Sequence, residues 1–119
     1  RDLGDALKRR CLHLYIGYPD SRLEERIVDV HVPGVDARLR AQLVAFVQRL
    51  RTLELKKLPS VSETIDWARV VMLLHVDELS PELVHETLNV LLKFQDDVLA
   101  VTNQVAGLVL KARDAVASG

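Results

Sequence analysis

Cysteine, aromatic residues and long apolar runs are scarce in this chain, and each scarcity excludes a class of protein. One cysteine, Cys11, among 119 residues leaves neither a disulfide framework nor a multi-cysteine zinc site. Aromatic side chains are 4% of the sequence, too few for a platform that stacks nucleic-acid bases. The longest unbroken apolar stretches, Val70 to Leu74 and Leu43 to Val47, are far below the roughly 20 residues of a membrane-spanning helix. Five glycines and four prolines exclude collagen-like and low-complexity material. Sixteen Lys/Arg against seventeen Asp/Glu give a net charge of −1, so bulk positive charge is not available to recruit a nucleic acid. The segment opens at Arg1, without Met and without the apolar stretch of a secretory signal. The expectation is a piece of a longer, cytoplasmic protein.

What is present suits a folded helical unit: 49% hydrophobic and 28% charged residues are enough for a core. Asp2 to Arg10 reads as the last turns of a helix, and Leu12-His13-Leu14-Tyr15-Ile16 as a short strand, stopped by Gly17-Tyr18-Pro19-Asp20. Ser21 and Glu24 have the spacing of a capping box, predicting a helix to about Val32, broken by Pro33-Gly34. Asp36 caps a second helix. Its inward face is Leu39, Leu43, Phe46, Val47 and Leu50, with Arg38, Arg40, Gln48, Arg49 and Arg51 off that stripe and Lys56, Lys57 and Pro59 at its end. Ser60 or Ser62 caps a third. From Ile65 to Val76 this third helix is apolar nearly all round, which predicts a place in the middle of a bundle. Ser80-Pro81 starts a fourth, with Val84, Leu88, Leu91 and Leu92 inward. Phe94, Val98, Val101, Val105, Leu108 and Ala112 form a seam of 3.5-residue period, suited to packing along another helix.

Chemistry-bearing motifs are few. His13, His31, His75 and His85 lack the i, i+4 partner and Glu of a zinc helix, and no metal is expected. Asp96 and Asp97 are adjacent, so on a helix they point about 100° apart and read as a solvated face. No Gly-rich phosphate loop and no nucleophile constellation occurs. Asp36 to Lys57 carries six Lys/Arg against two Asp/Glu, and Asp77 to Asp97 carries six Asp/Glu against one Lys. Such patches can pair head to tail between copies or stand as two solvated faces. The strongest local signal is Asp5-Ala6-Leu7-Lys8-Arg9-Arg10-Cys11-Leu12. Two guanidinium groups at a helix end either complement the macrodipole or face outward to a phosphate.

With that segment, the chain resembles MoxR-type AAA+ ATPases. The likeness continues through Tyr15-Ile16-Gly17-Tyr18-Pro19-Asp20, Val32-Pro33-Gly34-Val35 and Phe46-Val47-Gln48-Arg49-Leu50-Arg51. It then takes in Lys56-Lys57, Ser62-Glu63-Thr64-Ile65-Asp66-Trp67-Ala68-Arg69 and Val90-Leu91-Leu92-Lys93-Phe94. It covers roughly residues 3 to 97, and the branch it is most similar to is linked to carbon monoxide dehydrogenase maturation. The resemblance implies an all-α fold, a helical bundle lid of four to five helices with a short N-terminal strand remnant of the AAA+ core. Residues 1–16 would be the end of the core, with the arginine-finger helix and last strand; 17–97 the helical lid; 98–119 a C-terminal helical extension.

The same resemblance places an arginine finger at Arg10, with Arg9 as its neighbour and fallback, acting on the ATP of an adjacent subunit. It places Tyr18 and Pro19 at the core–lid hinge near the nucleotide, and Glu63 where many lids carry a sensor arginine. A carboxylate there repels phosphate, a departure from the family pattern. ATP and Mg²⁺ would bind the full-length parent and not this segment alone, which carries no Walker A or B. The implied partners are further copies in a hexameric ring, a client protein undergoing chaperone-like remodelling, and a von Willebrand factor A domain protein, with no nucleic acid and no membrane. The alternative from the residues alone is a stand-alone helical interaction module, its 98–112 seam docking a partner helix.

Overall fold

A computed structural model describes residues 18–118. The predicted strand, the helix remnant before it, and Arg9, Arg10 and Cys11 lie outside the described residues. Within them the chain is all-α, with six helices and no strand: α1 Ser21–His31, α2 Ala37–Leu50, α3 Val61–Leu73, α4 Pro81–Leu91, α5 Gln95–Thr102 and α6 Val105–Ser118.

Local chemistry sets most of the boundaries. Asp36 caps α2, its carboxylate accepting from the N–H groups of Arg38 and Leu39 at 3.0 and 3.3 Å. Ser80 caps α4 by accepting from Leu83 N–H, with Pro81 at the first helical position. The capping box expected at Ser21 and Glu24 does not form. Asp20 takes the cap and accepts from Leu23 N–H at 2.9 Å, which moves Glu24 one residue beyond capping reach and turns it inward. The box forms instead at α3, where the Glu63 carboxylate accepts from the Ser60 N–H at 2.7 Å and hydroxyl at 2.8 Å. α2 stops at Leu50, short of Lys56, because Thr52 and Leu53 N–H groups turn back onto the carbonyls of Arg49 and Leu50.

α2 is the centre of the bundle. Every residue of its predicted stripe is buried, and it packs against α1, α3 and, most extensively, α6. Trp67 of α3 meets Phe46 of α2 with ring centroids 5.5 Å apart, and its indole N–H donates to Thr87 Oγ1 of α4 at 2.7 Å. Buried Gln42 accepts from Leu79 N–H at 2.9 Å, tying α2 to the α3–α4 turn. The C-terminal seam starts at the break Leu92–Phe94 and is interrupted at Asn103–Gln104. Even so, Val101, Val105, Leu108 and Ala112 all join the same core, so these four are covered from inside the chain, while Phe94 at the seam's start is exposed.

The expectation for α3 needs correcting. It is amphipathic, burying Thr64, Trp67, Ala68 and Val71, while Met72, Leu73 and Leu74 at its end are 36%, 71% and 49% exposed. Met72 lies beside Gly34 of the α1–α2 turn, while Leu73 and Leu74 stay open where the chain reverses at His75 toward α4. His75 makes that reversal at φ 55°, the left-handed region in which a Cβ is strained and glycine is favoured. His75→Gly should therefore raise stability by about 0.5–1 kcal/mol, read from urea unfolding midpoints at unchanged slope.

Candidate functional site

Tyr18 and Pro19, the residues assigned to a hinge, lead into a buried polar cluster. Glu24 of α1 has no exposed surface, so its carboxylate must be satisfied by protein. Arg51, which caps the C-terminus of α2, meets it with both ends of its guanidinium, Nη1 to Oε1 and Nη2 to Oε2, each 2.7 Å. This is the parallel two-bond geometry that makes Arg–carboxylate pairs strong. Gln48 Nε2 donates to Oε1 at 2.7 Å and Thr64 Oγ1 to Oε2 at 2.8 Å. The Nε–H of Arg51 donates to Pro59 O at 2.8 Å, and Nη2 also reaches Thr64 Oγ1 at 3.4 Å. The face of the guanidinium lies 4.4 Å from the centre of the Tyr18 ring, a cation–π arrangement. Gln48 also donates to Pro19 O at 3.1 Å.

One carboxylate and one guanidinium thus join five pieces of chain: the loop before α1, α1 itself, the end of α2, the loop after it, and α3. Tyr18 and Pro19 are brought together with Glu24, Gln48, Arg51 and Thr64. The sequence reading had placed Glu24 in a capping box and Arg51 off the inward stripe. A usable signal was there. Glu24, Val28 and Val32 follow at four-residue steps, and so do Leu43, Val47 and Arg51. A charge of each sign extending an apolar row points to a buried pair.

Glu63 stands at a separate corner, in the first turn of α3. Lys57 Nζ lies 3.6 Å and Lys93 Nζ 3.9 Å from its carboxylate. Burial pushes the carboxyl upward, but the two Ser60 hydrogen bonds and the charges of Lys57 and Lys93 outweigh it and hold Glu63 below its ordinary value near 4.5. Glu63 is an ionised acceptor already engaged by Ser60, unsuited to phosphate. The cations at this corner are Lys57 and Lys93. Arg69, two turns along α3, lies 3.5 Å from Asp66 in an exposed ion pair.

The two charge runs meet within the chain. Arg38 reaches Glu78 at 3.3 Å and Lys56 reaches Asp96 at 2.6 Å; the latter contact raises the Lys56 pKa and lowers that of Asp96. Asp97 is not the solvated residue expected. It is buried, its carboxylate accepting the backbone N–H groups of Lys56 and Lys57 at 2.8 and 3.1 Å. Among the described residues no three His, Cys, Asp or Glu side chains gather as a metal site, and no helix is long and apolar enough to cross a membrane. No protein-family model, curated protein or solved structure matches the chain.

Glu24→Leu or Arg51→Met alone should cost about 3–5 kcal/mol, because each strands the other charge in the interior. The double variant should lose clearly less than the sum of the two, and unfolding free energies around the double-mutant cycle measure the difference. Because the folded-state pKa of Glu63 is depressed, its contribution is complete above about pH 4.5 and disappears as pH falls through the lower, folded value. Glu63→Gln should therefore be less stable than wild type at pH 7, with the gap shrinking as pH is lowered below 4.5, as urea titrations across that range will read.

Proposed function

We propose that this chain is the C-terminal lid portion of a MoxR-type AAA+ ATPase whose parent remodels or matures a partner protein, a metalloenzyme by the branch it resembles. The observation that carries the reading is an order along the chain. Arg9-Arg10 come shortly before Tyr18-Pro19, and that loop is fastened by Gln48 and Arg51 to an all-α unit. A lid attached this firmly to its leading loop turns as one body with it, as a nucleotide-driven lever requires. The quoted motifs also fall on structural junctions: Val32-Pro33-Gly34-Val35 makes the α1–α2 turn, and Ser62 to Arg69 lies within α3.

In this reading ATP and Mg²⁺ in the parent's core supply the phosphoryl group that is transferred. Arg10, or Arg9 beside it, is the group this segment contributes to a neighbouring subunit of a ring. Its fixed fork of N–H donors and permanent charge match a phosphate, and a trans arginine is worth about 10³–10⁵ in rate in related chemistry. Glu63, engaged by Ser60 and carrying the wrong sign, takes no part. The client and any von Willebrand factor A domain partner follow from the resemblance, as does the cytoplasmic setting.

In the full-length parent, Arg10→Ala should lower ATP turnover by about 10³ or more, with nucleotide binding and ring size unchanged. Near-normal turnover by an intact Arg10→Ala ring, and equally by Arg9→Ala, would remove the role given to these residues.

A further inference from the structure

We propose that the outer face shared by α1 and α3 is an interface with a second copy of this chain, laid face to face about a two-fold axis. The two helices run side by side in the same direction. At their starts Thr64 Oγ1 donates to Glu24 at 2.8 Å, and at their ends Met72 Sδ lies 2.7 Å from where a Cβ of Gly34 would stand. A residue of α1 is therefore level with the residue about 40 positions later in α3.

Contacts on either side define what faces outward. Ser21 and Glu25 of α1 line a cavity against Ala41 and Ala45 of α2, so α2 lies on that flank. Leu23, Ile27 and Val30 occupy the other flank at three- and four-residue steps. Trp67 of α3 is turned to α4 through Thr87, and Ile65 and Met72 lie on the opposite flank, toward α1. These five side chains form one apolar strip along the pair. Val30 is 76% exposed, Leu23 48% and Met72 36%, while Ile27 and Ile65 are half buried. An uncovered strip of this kind marks a contact surface.

The charges above the strip select its occupant. Arg26 and Asp29 stand on α1, and Asp66 and Arg69 stand level with them on α3. At each level the two helices carry opposite signs, and the order of signs is reversed from one helix to the other. A two-fold axis along the helices sets α1 against the copy's α3, and Arg26 against its Asp66. An axis across the helices sets each helix against its own reversed counterpart, Arg26 against Asp29 and Asp66 against Arg69. Either placement pairs opposite charges on both helices. A partner segment of one sign would meet a like charge whichever helix it followed. The four groups are open to a neighbour. Arg26 makes no ion pair among the described residues, the Asp66–Arg69 contact is 3.5 Å and exposed, and Asp29, held by Arg40 at 3.1 Å, is 52% exposed. The surface lies on described residues alone and does not depend on the ATPase reading.

Sedimentation equilibrium of the 119-residue chain over about 5–500 μM tests the proposal. Two helices of 11 and 13 residues offer an interface below the roughly 1,200 Å² of stable complexes. Expected is a monomer–dimer equilibrium with a dissociation constant on the order of 10–100 μM. Val30→Asp and Asp66→Arg, both at exposed positions, should each weaken it about tenfold or more, because a two-fold interface contains every substitution twice. Adding Arg26→Asp or Arg69→Asp to Asp66→Arg should restore it to within about threefold, the first for the axis along the helices and the second for the axis across them. Leu110→Asp, at an exposed position of α6, should leave it unchanged, with the same helix content by circular dichroism in every variant. A monomer throughout the range, a dimer indifferent to Val30→Asp or to Asp66→Arg, charge reversal that neither second change rescues, or a dimer lost on Leu110→Asp overturns the proposal.

Discussion

A carboxylate sealed from water has to be met by groups of opposite polarity, and in this chain that demand organises the bundle. Glu24 receives two N–H donors from Arg51, one from Gln48 and a hydroxyl from Thr64, which uses both of its oxygens. The apolar core alone, built around α2, is non-directional and tolerates helices sliding or turning by small steps. The two parallel bonds between Arg51 and Glu24 do not. They set the rotation of α1 about its axis and the point at which α2 must end, and they bring the α2–α3 loop in through Pro59. The leading loop is then placed by the free face of the guanidinium under Tyr18.

Much of the architecture was legible because it rests on local or periodic signals. The caps at Asp36 and at Ser80-Pro81, the inward faces of α2 and α4, and the all-α class all follow from three- and four-residue spacing and from capping chemistry. The C-terminal seam was legible as a period. Its break at Asn103–Gln104 was not, since the apolar residues keep their spacing from Val101 to Val105 across it. α3 misled for a related reason. Val70 to Leu74 is apolar in composition, but which of those residues are covered depends on where the chain reverses, and the reversal at His75 uses a conformation that histidine does not advertise.

The candidate site was half legible. Tyr18 and Pro19 were picked out by resemblance as hinge residues near a nucleotide; what the structure shows of them is contact with Gln48 and Arg51. Glu24 was read as a capping residue because Ser21 lies three residues before it, and the preceding Asp20 is an equally good cap. Two adjacent cap candidates differ by one residue in the sequence and by 100° in where the fourth side chain points, which is the difference between a solvated glutamate and a buried one. Asp97 escaped for a different reason. Its partners are backbone N–H groups some 40 residues earlier, and no side-chain pattern records those.

That long-range tie bears on how the molecule is made. The loop around Lys56 and Lys57 has its amides satisfied by a carboxylate translated far later, and the helix that covers α2 most completely is the last one. Without the C-terminal third, the first three helices would leave part of the α2 apolar surface and two loop amides without their partners. The α2–α3 loop and the α6-facing side of α2 are thus completed only by contacts from the C-terminal third, which gives the unit a large share of contacts distant in sequence.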